Sequence, residues 1–197
     1  MNKLVLLFCL SLFVSIKAQY QIDCQVTMDK NVTPYRSLIS ETASKTSFNM
    51  EGMQMELLNI LDQGVYSLIP QQNMAIKMKK EMFDTMEVCN CTFAKTGIKK
   101  KLLGYDVEEY VQKCVSPKGT SEVKSWYAES LNFDPVLIAP LRQYVSSSTL
   151  RPKGFPLFHE GTLSNGSKVK FEVISISKKE TAPKDFSIPE GYMIMEY

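Results

Sequence analysis

The chain is poor in the residues that most enzyme chemistry uses. It holds one histidine, one tryptophan and nine glycines in 197 residues. A single His159 rules out a histidine cluster for zinc, and any Ser-His-Asp or Cys-His site would have to be built around it. There is no Gly-x-Ser-x-Gly elbow, no phosphate-cradling glycine loop and no Gly-x-Gly-x-x-Gly turn. Glu108 and Glu109 are neighbours on a predicted strand, so they point to opposite faces and do not make an acid/base pair. These absences point to a non-enzymatic protein with no cofactor and no metal centre. Beyond residue 18 no apolar run is long enough for a membrane anchor, so no transmembrane segment is expected in the mature chain.

The first eighteen residues read as a secretory signal peptide. Lys3 gives a basic start, Leu4 to Val14 is apolar apart from Ser11, and Ala18 ends the segment. Cleavage near Ala18 predicts an exported protein, periplasmic or extracellular, with residues 19–197 forming one domain. Losing Lys3 and Lys17 takes 23 basic residues to 21, against 21 acidic ones. A neutral chain gives no electrostatic reason to expect nucleic acid. The one strong basic run, Lys99-Lys100-Lys101, reads as a solvated turn between strands.

Export makes the cysteines a disulfide question. With Cys9 in the signal peptide, Cys24, Cys89, Cys91 and Cys114 remain. Cys89 and Cys91 are a poor pair, since residues two apart on a strand lie roughly 6.6–6.8 Å apart with parallel side chains. The two other arrangements join Cys24 and Cys114 to one each of Cys89 and Cys91. A four-thiolate metal site is the rival, disfavoured by export.

Strand signals dominate the rest. Tyr20 to Met28 alternates cleanly between apolar and polar. Asp29 to Thr46 is polar, interrupted by Pro34, and predicts a loop with at most a short edge strand. Ser47 to Leu58 alternates with a change of phase at Gly52, which predicts a β-bulge there. Val65 to Ile69 and Met74 to Met78 predict a hairpin. Glu87 to Ala94 and Tyr105 to Val115 predict another, turning at Thr96-Gly97. Glu122 to Glu129 carries Trp126. Phe155 to Leu163 and Val169 to Ser177 flank the turn dipeptide Asn165-Gly166, and Met193 to Met195 makes a short last strand. One helix is predicted from Pro135 to Val145, capped by Asp134 and interrupted by Pro140.

The eleven methionines are the compositional anomaly. Methionine fills irregular apolar space and lines adaptable lipid-facing pockets, and its thioether is also a soft ligand for Cu(I). The favoured reading is packing or pocket wall, with Met50, Met53, Met55, Met74, Ile76, Met78 and Trp126 as candidate ligand-pocket residues. The alternatives are an envelope structural or interaction protein with a filled barrel, and a Met-rich copper-binding protein using Met53, Met55 and the Cys89-Asn90-Cys91 pair.

Several motifs occur in a familiar order. Met74-Ala75-Ile76-Lys77-Met78 closes a hairpin, Leu103-Gly104-Tyr105-Asp106-Val107-Glu108-Glu109-Tyr110 opens a strand, and Val123-Lys124-Ser125-Trp126-Tyr127 follows. Gly154-Phe155-Pro156-Leu157 and Phe186-Ser187-Ile188-Pro189-Glu190-Gly191-Tyr192 come last. The chain resembles a family of exported Bacteroidetes proteins, a domain of unknown function grouped with the LolA-like lipoprotein carriers. That resemblance implies a mainly β fold: a curved antiparallel sheet forming an incomplete, LolA-like half-barrel, with one or few helices on its concave face. It also implies a hydrophobic ligand, a lipid or lipoprotein acyl chain, held in the half-barrel; envelope proteins at an exposed sheet edge are the partners expected on the filled-barrel alternative.

Overall fold

The computed structural model describes residues 19–79, 90–116, 119–138 and 152–196. The predicted signal peptide and Cys89 lie outside them. So does all of the predicted helix beyond Ile138.

Twelve strands make one open sheet. In chain order they are β1 (Tyr20–Met28), β2 (Asn31–Ile39), β3 (Ala43–Met50), β4 (Met53–Ile60), β5 (Gly64–Ile69), β6 (Met74–Met78), β7 (Asn90–Leu102), β8 (Tyr105–Ser116), β9 (Gly119–Ala128), β10 (Phe155–Thr162), β11 (Lys168–Lys178) and β12 (Met193–Glu196). Their spatial order is β12-β6-β5-β4-β3-β2-β1-β11-β10-β9-β8-β7. Ten strand spacings separate β6 from β7, about 48 Å if the sheet were flat. The eleven residue steps from Lys79 to Asn90 reach at most about 40 Å. The chain can be joined only if the sheet curls, and it does so as a curved, open half-barrel. All pairings are antiparallel except that of the short β12, which runs parallel to β6.

The predicted loop from Asp29 to Thr46 is in fact two interior strands. Its polar residues face inward and are satisfied there. The Ser37 and Thr46 hydroxyls meet at 2.8 Å, and Ser44 Oγ donates to the Leu137 carbonyl at 2.6 Å. Pro34 is tolerated because the β2–β3 ladder begins only at Tyr35, leaving the proline opposite a single partner strand.

Two glycine assignments exchange roles. Gly52, predicted as a bulge, is the second residue of a tight turn with Glu51 and Gly52 at φ 52° and 83°, the two-residue geometry that suits a twisted hairpin. Met50 then pairs with Met53, so even residues of β3 and odd residues of β4 share a face. Thr96-Gly97, predicted as a turn, is an irregularity inside β7 between Lys95 and Lys99. The turn lies at Leu103-Gly104, with φ 51° and 84°. Lys99-Lys100-Lys101 is therefore not a turn but part of an edge strand, exposed along its length. Lysines and a bulge on an open edge discourage pairing with other chains.

The main core lies on the face carrying Ile22, Cys24, Val26, Phe171 and Val173, together with Leu131, Leu137 and Ile138; we call this the inner face. The Asp134 carboxylate accepts from the Val136 N–H at 2.7 Å and so closes the turn over residues 135–138. Asn59 Nδ2 donates to the Val136 carbonyl at 2.5 Å. A second cluster covers the outer face of β4 to β6, where Phe186, Ile188 and Tyr192 pack on Leu58, Leu68 and Ala75.

The disulfide joins Cys91 to Cys114, which stand directly opposite on β7 and β8 with Cα atoms 4.1 Å apart. The expected bridge from Cys24 is not made. Cys24 is a free thiol, 2% exposed, with Val173 and Tyr35 as its register partners. Burial, with a smaller effect of the Asp23 charge, pushes this thiol up to about 12, so it is inert. The Cys91–Cys114 bridge closes a loop of 23 residues, which corresponds to about 3 kcal/mol. Reductant is expected to lower the unfolding free energy from urea denaturation by about that amount in the native protein and to change nothing in a C91S/C114S variant.

Candidate functional site

Register fixes which side chains share the inner face, because directly paired residues project to the same side. Cys24 pairs with Tyr35, Tyr35 with Phe48, and Phe48 with Met55. Met50, Met53 and Met55 are therefore on the inner face at the β3–β4 turn. Asn59 pairs with Val65, Val65 with Met78, and Ile69 with Met74, which adds Met74, Ile76 and Met78. Met193 and Met195 pair with Met74 and Ile76, and Met28 follows Val26 along β1. Every methionine among the described residues projects from this one face.

Six of the seven predicted pocket residues are thus brought onto a common surface. Met50 and Met53 are 56% and 40% exposed, and Met193 is 67% exposed; Met55, Met74, Ile76 and Met78 are half-buried. Trp126 does not join them. Its neighbour Ser125 faces inward, so Trp126 faces the other way, opposite Phe158 and Glu109. The Lys100 ammonium stands 3.7 Å from its ring centroid. The signal for Met193 and Met195 was present in their alternation, but their parallel pairing with β6 is not readable from sequence.

At the far end of the same face, a cleft of about 940 Å³ is lined by Phe93, Lys95, Glu108, Tyr110 and Tyr127 among others. Lys95 Nζ lies 2.7 Å from Glu108 Oε2. The hydrogen bond from Lys95 holds the Glu108 carboxyl below its usual range. The inner face therefore carries the methionines at β3 to β6, beside the buried and hydrogen-bonded Ser44, Thr46 and Asn59, and is mixed in character at β7 to β9.

His159 also faces inward, between Ser125 and Phe171. Its Nδ1 and the Ser125 hydroxyl are 2.6 Å apart, while Nε2 has no hydrogen-bond partner among the described residues. Burial pushes the imidazole down to about 3, so it is neutral at physiological pH. Sequence reasoning did not single out Ser125. The pair is 0% and 1% exposed, which closes it to a substrate arriving from solvent. The copper alternative loses Cys91, which is bonded to Cys114.

No protein-family model and no curated protein matches the chain. Among solved structures it is similar to a LolA superfamily protein from Nitrosomonas europaea, at 9% identity and a TM-score of 0.39, over 89% of this chain and 91% of the other. It is likewise similar to a DUF1329 family protein from Desulfovibrio piger, at 10% identity and a TM-score of 0.39, over 88% of this chain and 91% of that one.

Proposed function

We propose that the protein binds a hydrophobic ligand, a lipid or an acyl chain, on the methionine-lined inner face of β3 to β6, and that it acts by binding rather than by catalysis. The observation that carries this reading is the common orientation of the methionines. Strands β4 to β6 carry apolar patches on both sides, Leu58, Leu68 and Ala75 outward and the methionines inward. Their outer side is covered by Phe186, Ile188 and Tyr192, while Met50, Met53 and Met193 on the inner side remain open. An exposed apolar patch of this kind calls for a partner to cover it. Unbranched, polarisable thioethers adapt to a flexible chain better than branched side chains do, and each buried methylene of a ligand contributes about 0.8 kcal/mol. The sealed Ser125–His159 pair supports a non-catalytic role.

Titration with a fluorescent fatty acid tests this. The double variant M74E/M78E puts two carboxylates on the surface and is expected to weaken binding by about tenfold or more. I98E, which places one carboxylate on an already exposed residue of the β7 edge, is expected to leave it unchanged. Equal binding by all three proteins would reject the site. Native mass spectrometry before and after organic extraction would then identify any co-purifying lipid.

A further inference from the structure

We infer that Met50, Met53 and Met55 form a site for a soft monovalent cation, Cu(I) being the natural candidate, at the tip of the β3–β4 hairpin. The two-residue turn Glu51-Gly52 sets Met50 directly opposite Met53, and Met55 follows on the same face. Residues opposed in this way have Cβ atoms about 5 Å apart and diagonal neighbours about 7–8 Å apart. Three long, unbranched side chains on such a triangle bring their sulfurs within reach of one ion. Thioethers are soft donors that select Cu(I) over harder divalent ions.

Packing does not account for these residues. A methionine fills space only where apolar atoms surround it, and Met50 and Met53 stand 56% and 40% exposed at a turn. The turn fixes the spacing without any ligand. Glu51, exposed between them, adds a negative charge beside a cation site. Thiols compete for Cu(I) more strongly than thioethers do, but Cys91 and Cys114 are bonded to each other and Cys24 is sealed in the core. The site lies at one end of the surface proposed for lipid; lipid binding is tested at Met74 and Met78 instead, so the two readings fail separately.

The test uses the disulfide-intact protein carrying Cys89→Ser, titrated with Cu(I) under ascorbate against a chromogenic Cu(I) chelator. Methionine methyl groups labelled with carbon-13 are followed by NMR. One equivalent is expected to bind and to shift the methyl signals of Met50, Met53 and Met55, leaving Met74 and Met193 in place. The triple variant M50L/M53L/M55L, which keeps volume and apolar character, is expected to bind about a hundredfold more weakly with an unchanged melting temperature. M74L/M193L is expected to bind as the parent does. Binding no tighter than that of free methionine would overturn the proposal, as would undiminished binding by the triple variant.

Discussion

Replacing Gly161 with alanine is expected to destabilise the protein by about 4 kcal/mol, near the upper end of what one substitution does. Gly161 lies in β10 between Val123 of β9 and Val169 of β11. A Cβ built there collides with the Glu122 carbonyl oxygen and comes within 2.7 Å of the Val123 Cα. Both obstacles are backbone in an interior strand, so relief means pulling β9 off the ladder rather than turning a side chain. Gly52→Ala provides the contrast. Nothing lies within 4 Å of a Cβ at that turn, and only its φ of 83° is unfavourable, which costs about 1–2 kcal/mol. Urea denaturation of the two variants separates the mechanisms. A Gly161→Ala loss no larger than that of Gly52→Ala would show that β9 and β10 are not held as closely as this.

The same comparison shows what the sequence makes legible. Period-two alternation located β1, the β5–β6 hairpin and the β10–β11 hairpin, because each has one wet face and one dry one. It failed over β2 and β3, where the inward positions are Ser37, Ser44 and Thr46. Those residues are buried because partners meet them across strands and from Leu137, and long-range partners leave no local trace. Gly52 and Gly97 were interchanged because a two-residue turn and a bulge produce the same change of phase. The methionine face was half legible: Met50, Met53, Met55, Met74, Ile76 and Met78 were readable as candidates from the sequence. Only the strand order, which places β12 beside β6, adds Met193 and Met195 to it. Trp126 was grouped with the methionines on the strength of its apolar bulk, and its register sets it on the other side of the sheet. Cys24 was assigned to a disulfide because export makes pairing the default, yet its place beside Val173 and Tyr35 gives it no cysteine to bond among the described residues.

Acid is expected to unfold the protein through His159. In the fold its imidazole is held neutral, down to about 3, by burial, whereas in the unfolded chain it titrates near 6.5. Between those values the unfolded chain takes up a proton that the native one refuses. Stability from this residue is therefore complete above about pH 6.5 and is lost as pH falls toward 3, by roughly 4 kcal/mol in all. Protonation within the fold would be costly because the ring would carry a charge between Tyr127 and Phe171. In the imidazolium both ring nitrogens are donors, and Nε2 has no acceptor among the described residues. Glu108, held below its usual range by Lys95, loses its charge only at lower pH, so the interval from pH 4.5 to 6.5 isolates the histidine. H159F alone would orphan the Ser125 hydroxyl, so the informative variant is S125A/H159F, which removes both polar partners together. Its urea stability should be nearly flat across that interval, while the native protein loses roughly 2–3 kcal/mol. Parallel slopes in the two proteins would mean that the imidazole is already protonated in the fold, and that the inner face is wetter than the burial of His159 implies.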